Sequence, residues 1–167
     1  MRITGPLLLR GGTVVDVLSG GLRPEVDLLL RGGVIERIAP AGSVSDSGVE
    51  VVDVRGRYVV PGYVDAHAHP LGLHDAAAAL QLMGAFGITG FRQMSGSAPL
   101  LAARARSELG LPDDGPALLA LPGDLLMPMN AGTLEAAVAT IRQQKEAGAD
   151  FVKVVAVTPD VLLGLLD

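Results

Sequence analysis

Asp65, His67 and His69 carry the densest chemistry in the chain, within the run Asp65-Ala66-His67-Ala68-His69. On a β-strand, residues two apart share a face. The carboxylate and both imidazoles would therefore project one way, with only alanine methyls between them. Two neutral imidazoles one step apart can hold a single divalent cation through ring nitrogens at about 2.0–2.1 Å. Asp65 sits one layer deeper and is suited to orient a ligand from behind. The competing reading is a pair of solvated histidines at a strand end. The only other histidine, His74, is expected in a loop or at a helix start. The chain has no cysteine. Disulfides and thiolate metal sites are thereby excluded, and a metal must use imidazole, carboxylate or a modified side chain.

Lys153 is the second residue of interest. It interrupts the apolar run Phe151-Val152-Lys153-Val154-Val155-Ala156-Val157. Such runs are typically buried on both faces of a parallel sheet. An unpaired lysine there is costly, and burial favours its neutral amine. A neutral amine beside a metal can add carbon dioxide and become a carbamate, an anionic oxygen ligand able to bridge two cations. The alternatives are a lysine that snorkels to the rim with its stem buried, or one paired with a carboxylate inside the sheet.

These side chains need elements to hold them. Residues 1–60 read as short strands broken by turns: Leu7–Leu9, Thr13–Val17, Val26–Leu30, Val34–Ile38 and Val51–Val54, with Gly11-Gly12, Ser19-Gly20-Gly21, Gly32-Gly33 and Ser43–Gly48 between them. The two strands flanking Arg31-Gly32-Gly33 read as a hairpin. This part is expected to be a small β-sandwich domain. From Pro61 onward the pattern alternates. Strands are expected at Tyr63–His67, Ile88–Met94, Ala117–Leu121 and Phe151–Val157, and helices near Asp75–Ala85, Pro99–Leu109 and Leu134–Ala147. Thr133 is a good N-cap and Gly148 a good C-cap for the last of these. Alternating β and α units imply a parallel sheet. The expected fold class is α/β: a small β-sandwich domain over 1–60, then 61–167 as about the first four strands of a (β/α)8 TIM-like barrel, truncated. The His-x-His pair then lies at the C-terminal end of the first barrel strand, the functional rim of such folds. Thr158-Pro159-Asp160 opens a further apolar helix near the end of the chain, with proline at its first turn.

Composition narrows the partners. Net charge is −5 with both signs dispersed and no basic stripe, so nucleic acid is not an expected partner. The N-terminal apolar run is too short for a signal peptide, and no stretch approaches the roughly 18 apolar residues of a spanning helix. The default expectation is cytoplasmic, with no membrane partner.

Val59-Val60-Pro61-Gly62-Tyr63-Val64-Asp65-Ala66-His67-Ala68-His69 resembles the Pro-Gly-hydrophobic-hydrophobic-Asp-x-His-x-His signature of the amidohydrolase superfamily. Gly87-Ile88-Thr89-Gly90-Phe91-Arg92 is similar to that family's second barrel strand. Gly148-Ala149-Asp150-Phe151-Val152-Lys153 is similar to the fourth, which bears a bridging lysine in many members. The nearest resemblance is to the imidazolonepropionase-like and prolidase-like branch. It implies a distorted barrel with one or two divalent metals, usually zinc. His67 and His69 would bind the first metal, and Lys153, carbamylated, would bridge to the second. The implied activity is hydrolysis of a carbon–nitrogen bond, in a small amide, cyclic amide or peptide-like substrate, by metal-bound hydroxide. The resemblance also implies histidines from later strands and a catalytic Asp from the eighth, which would lie beyond residue 167. No catalytic residue is therefore expected in this chain, which is expected to be inactive alone, and no substrate-binding residue is assigned. Gln93 stands where relatives often have Asp after the second-strand Arg92. The loop Pro122–Asn130 lacks the Gly-Gly-His of some relatives. Both departures bear on the substrate.

Other readings remain open at this level. One is a non-catalytic metal- or partner-binding protein on part of the same fold, its sheet edges covered by self-association as a homo-oligomer. Another is an enzyme completed by a second chain. A third is a ring deaminase of the same superfamily, although such deaminases generally lack the fourth-strand lysine.

Overall fold

The computed structural model describes residues 5–166, and the chain divides into two compact units between Pro61 and Gly62.

The first unit is a sheet of five strands: β1 (Leu7–Val15), β2 (Leu22–Arg31), β3 (Val34–Pro40), β4 (Glu50–Asp53) and β5 (Tyr58–Val59). Their order is β3-β2-β1-β4, with β5 also beside β1. β1 is the spine, antiparallel to β2 and parallel first to β4 and then to β5. All five strands thus share one hydrogen-bonded sheet, where two facing sheets were expected. The Arg31–Val34 hairpin forms, with Gly32 and Gly33 at φ +60° and +81°. Positive φ at both turn positions matches the right-handed twist of the flanking strands, and glycine adopts it without steric cost.

Gly11-Gly12 does not break the strand as expected. β1 runs through it, and a register shift between Leu9 and Gly12 absorbs the irregularity. The reason lies on β2. Asp27 is fully buried, and its carboxylate accepts the Gly11 N–H at 3.0 Å and the Gly42 N–H at 2.8 Å. The side chain thus satisfies two backbone donors that the ladder does not. Around it Leu8, Leu29, Ala39 and Val44 form the core of this unit.

The second unit is mixed α/β. Strands β6 (Tyr63–Ala68), β7 (Ile88–Gln93) and β8 (Ala117–Ala120) form a parallel sheet in sequence order. Helices α1 (Ala76–Ala85) and α2 (Ala98–Ala105) make the crossovers. The short helix α3 (Pro128–Ala131) precedes α4 (Leu134–Glu146) and α5 (Pro159–Leu166). A side-chain oxygen caps each of three helix starts: Asp75 takes the Ala78 N–H, Ser97 that of Leu100, and Thr133 that of Ala136. Such caps contribute about 1 kcal/mol each. Leu80 of α1, Phe91 of β7 and Leu101 of α2 are buried, and a second cluster joins Leu126, Ala131, Ala137 of α4 and Val161 of α5. No helix among the described residues is long and apolar enough to cross a membrane.

The fourth strand expected over Phe151–Val157 is a correction. Only Val154 pairs, through a single parallel bridge to Leu126. Leu126 donates to the Lys153 carbonyl at 2.9 Å and accepts from the Val155 N–H at 3.1 Å. The pairing does not start on β8, because Asp150 takes over the position where it would begin. Its N–H donates to the Leu121 carbonyl at 3.0 Å, and its carboxylate accepts the Leu121 N–H at 2.7 Å. A side chain thereby takes the Leu121 donor, and beyond it the segment pairs only at the Val154 bridge.

Candidate functional site

β6 carries Asp65 and His67, and His69 stands one residue past its C-terminal end. Small neighbours at Ala66 and Ala68 leave the rings room, and both histidines are solvent-exposed. Their ring centroids are 5.3 Å apart with planes inclined at 54°. Two imidazoles sharing a tetrahedral zinc at about 2.1 Å, with about 1.15 Å from nitrogen to ring centre, would have centroids roughly 5.3 Å apart. The centroid spacing thus equals that of two ligands of one cation. Among the described residues no group of three or more His, Cys, Asp or Glu side chains is placed to hold a metal.

Asp65 is half-buried, and its carboxylate accepts the backbone N–H of His67 at 3.0 Å. It thus acts on His67 through the main chain. His74 lies exposed in the turn before α1.

A polar relay reaches His69 from β7. The Nδ1 atom of His69 lies 2.9 Å from Oγ of Ser95. Gln93, at the end of β7, is fully buried. Its amide nitrogen donates to the Ser95 carbonyl at 2.9 Å and to Ser95 Oγ at 3.2 Å, while its amide oxygen accepts the Leu71 N–H at 3.2 Å. Beside it, a β-carbon at Gly96 would stand 1.8 Å from the Pro122 carbonyl oxygen. Only glycine lets these two loops meet so closely. Gln93 was noted in the sequence for a missing acid, and Ser95 was not singled out. The available signal was a hydroxyl two residues past Gln93, at the end of the strand beside the His-x-His strand.

Lys153 differs from its expected setting. It is half-buried, and its neighbours Val152, Val154 and Val155 are 38%, 38% and 52% exposed. The doubly buried strand that would force a neutral amine is therefore not its environment here, because the segment pairs on one side through a single bridge. Its backbone is nevertheless well held. Arg92 of β7 stacks 4.6 Å over the Phe151 ring, a cation–π contact. Arg104 of α2 donates to the Asp150 carboxylate and to the Gly148 carbonyl. Partial burial pushes the Asp150 carboxyl upward, but the Arg104 hydrogen bond, the Leu121 N–H and the Arg104 charge outweigh it and hold the group below its usual value.

No protein-family model matches the chain. By sequence it is 38% identical over 63 residues to a dihydroorotase of Trichlorobacter lovleyi and 41% identical over 69 residues to adenine deaminase 3 of Rhizobium meliloti. These alignments take in 38% and 41% of the chain and only 14% and 12% of the relatives. By structure it resembles molinate hydrolase, with a TM-score of 0.72 and 17% identity over 92% of this chain and 45% of that one. A Xaa-Pro dipeptidase with methionine bound in its active site gives 0.65 and 20%, over 90% and 47%. The chain thus spans less than half of these solved structures. The structural likeness defines the class of fold, a mixed α/β unit built on a parallel sheet. Together these likenesses support an amidohydrolase superfamily member, over part of the chain's length.

Proposed function

We propose that this chain is the metal-ligand-bearing first part of a hydrolase acting on carbon–nitrogen bonds. In this reading β6, β7 and β8 are the opening strands of a (β/α)8 barrel, and residues 150–157 run where its fourth would. His67 and His69 hold a divalent cation, with zinc the natural occupant of a pair of neutral nitrogens. Lys153 supplies a further ligand, as a carbamate where carbon dioxide has added to its amine. When bound, such a cation polarises a carbonyl and lowers the pKa of water toward about 7. The residues of this chain orient and hold: Asp65 fixes the His67 main chain, and Arg92 and Asp150 anchor the Lys153 segment. The observation that carries the reading is the spacing of the two imidazoles at the end of a parallel strand.

Zinc titration of the chain against a chelating dye tests it. The wild type should bind, and His67→Ala with His69→Ala should abolish binding. Equal zinc uptake by the double variant would remove the ligand assignment. Mass spectrometry of the intact zinc-loaded protein should show the added mass of one carbon dioxide, absent in Lys153→Ala. For the reaction, the zinc-loaded full-length protein would be offered cyclic amides, dipeptides and aminopurines. The last arm covers ring deamination, which the likeness to adenine deaminases favours as the second reading.

A further inference from the structure

The ring of His69 is held at Nδ1 by a side chain from beyond its own strand, the hydroxyl of Ser95. We propose that Ser95, itself held by Gln93, is a positioning residue that holds the ring of His69 at Nδ1, accepts the Nδ1 proton when a cation binds, and so presents Nε2 to that cation. The inference rests on the metal-site reading above and extends it to residues on β7 and just beyond.

The hydrogen bonds define the arrangement. The Gln93 amide has one orientation available. Its oxygen must face the Leu71 N–H, because the reversed amide would set an NH2 against that donor. The nitrogen is then committed to Ser95, one hydrogen to the carbonyl and one to Oγ. Ser95 Oγ thus receives one donor from Gln93 and keeps one lone pair and its own proton. Two states of the 2.9 Å contact to His69 remain. In one, Ser95 donates to Nδ1, and the His69 proton sits on Nε2. In the other, Nδ1–H donates to Ser95 Oγ, and Nε2 is bare. Only the second leaves a lone pair free for a cation. Gln93 occupies one acceptor site of the hydroxyl but leaves the second open, so the relay accepts the Nδ1 proton as a cation takes Nε2. No group changes its net protonation: the proton resides on Nδ1 and not on Nε2, and the Ser95 hydroxyl turns its own proton away.

Burial fixes the Gln93 end of the relay. Gln93 is fully buried, so its amide cannot exchange these partners for water. The close approach at Gly96 brings the Pro122 backbone against the same loop. His67 is fixed differently, at its own backbone N–H, through Asp65. Of the two histidines, His69 is therefore the one whose ring, and not only its backbone, has a side-chain partner here.

The experiment uses the whole chain with zinc or cobalt(II) as the probe. Zinc affinity is read by competition with a chelating dye, cobalt binding by its visible absorption, and the His69 tautomer by nitrogen-15 NMR of the metal-free protein. Ser95→Ala should weaken zinc binding roughly 10- to 100-fold, the usual cost of losing a group that orients a metal-bound histidine. It should also shift the His69 ring-nitrogen signals and leave those of His67 in place. Ser95→Thr keeps the hydroxyl and should restore both affinity and signals. Zinc affinity of Ser95→Ala within twofold of wild type, or unchanged His69 signals, would overturn the proposal while the His67/His69 ligand assignment stands. If the wild type binds zinc no better than the double histidine variant, both readings fall together.

Discussion

Replacing Asp150 separates a hydrogen-bond acceptor from an ion pair, and the structure assigns the larger effect to the acceptor. Leu121 is fully buried, and its N–H donates to the Asp150 carboxylate at 2.7 Å. Asp150→Ala leaves that N–H without its partner, at a cost of about 1–3 kcal/mol. The Arg104 pair adds less, because the two side chains are 28% and 42% exposed; about 0–1 kcal/mol is appropriate after solvent screening. The expected loss is about 2–3 kcal/mol for Asp150→Ala. For Asp150→Asn, whose carbonyl still accepts from Leu121, it is about 1 kcal/mol. With a urea slope of about 1–3 kcal/mol/M, the alanine variant should unfold roughly 1–2 M earlier, followed by circular dichroism. The pH dependence supplies a second reading. The folded-state pKa of Asp150 lies below its ordinary value. Its charge-dependent stabilisation is therefore present above about pH 4 and is lost as pH falls from there through the folded value. The stability gap between wild type and Asp150→Asn should close over that window. If Asp150→Asn were as damaging as Asp150→Ala, and Arg104→Ala matched both, the ion pair would contribute most of the stability and the primacy of the Leu121 hydrogen bond would be refuted.

Other perturbations follow from the same geometry. Asp27→Ala strands the Gly11 and Gly42 amides of the first unit and should cost about 3–5 kcal/mol in thermal or urea unfolding; Asp27→Asn, which keeps one acceptor, should cost about half of that. A loss under about 1 kcal/mol in Asp27→Ala would mean that water replaces the carboxylate. Gly96→Ala sets a methyl against the Pro122 carbonyl. It should lower the melting temperature and shift the His69 ring-nitrogen signals, because it moves the loop that carries Ser95. Intact His69 signals in a folded Gly96→Ala would detach that loop from the site.

Much of the second unit was legible from the chain alone, because its signals are local. Asp65 and His67 are two apart on β6, so the strand period puts them on one face, and His69 follows one residue past the strand with its ring 5.3 Å from that of His67. Thr133 at the start of α4 was expected as a cap and does cap it. In the first unit, the Gly32-Gly33 hairpin follows from turn chemistry in the same way. What escaped depended on partners distant in sequence. Gly11-Gly12 reads as a turn, and it becomes part of a strand because Asp27 meets the Gly11 amide. Phe151–Val157 reads as a buried strand on its β-branched residues, yet a ladder needs a neighbour in register. Asp150 occupies the first rung, so only Val154 bridges. The expected burial of Lys153 failed with it, since exposure is set by what covers a segment and not by its own apolarity.

By itself, then, the amino-acid order determined residue types, strand and helix periods, and the spacing of two imidazoles at the end of a strand. The tertiary structure decided which side chains from other strands reach that pair. Gln93 and Ser95 act on His69 only because parallel pairing sets the end of β7 beside the end of β6. Hydrogen bonds have a reach of about 3 Å, so contacts between residues 26 apart in sequence exist only once the sheet has brought them together.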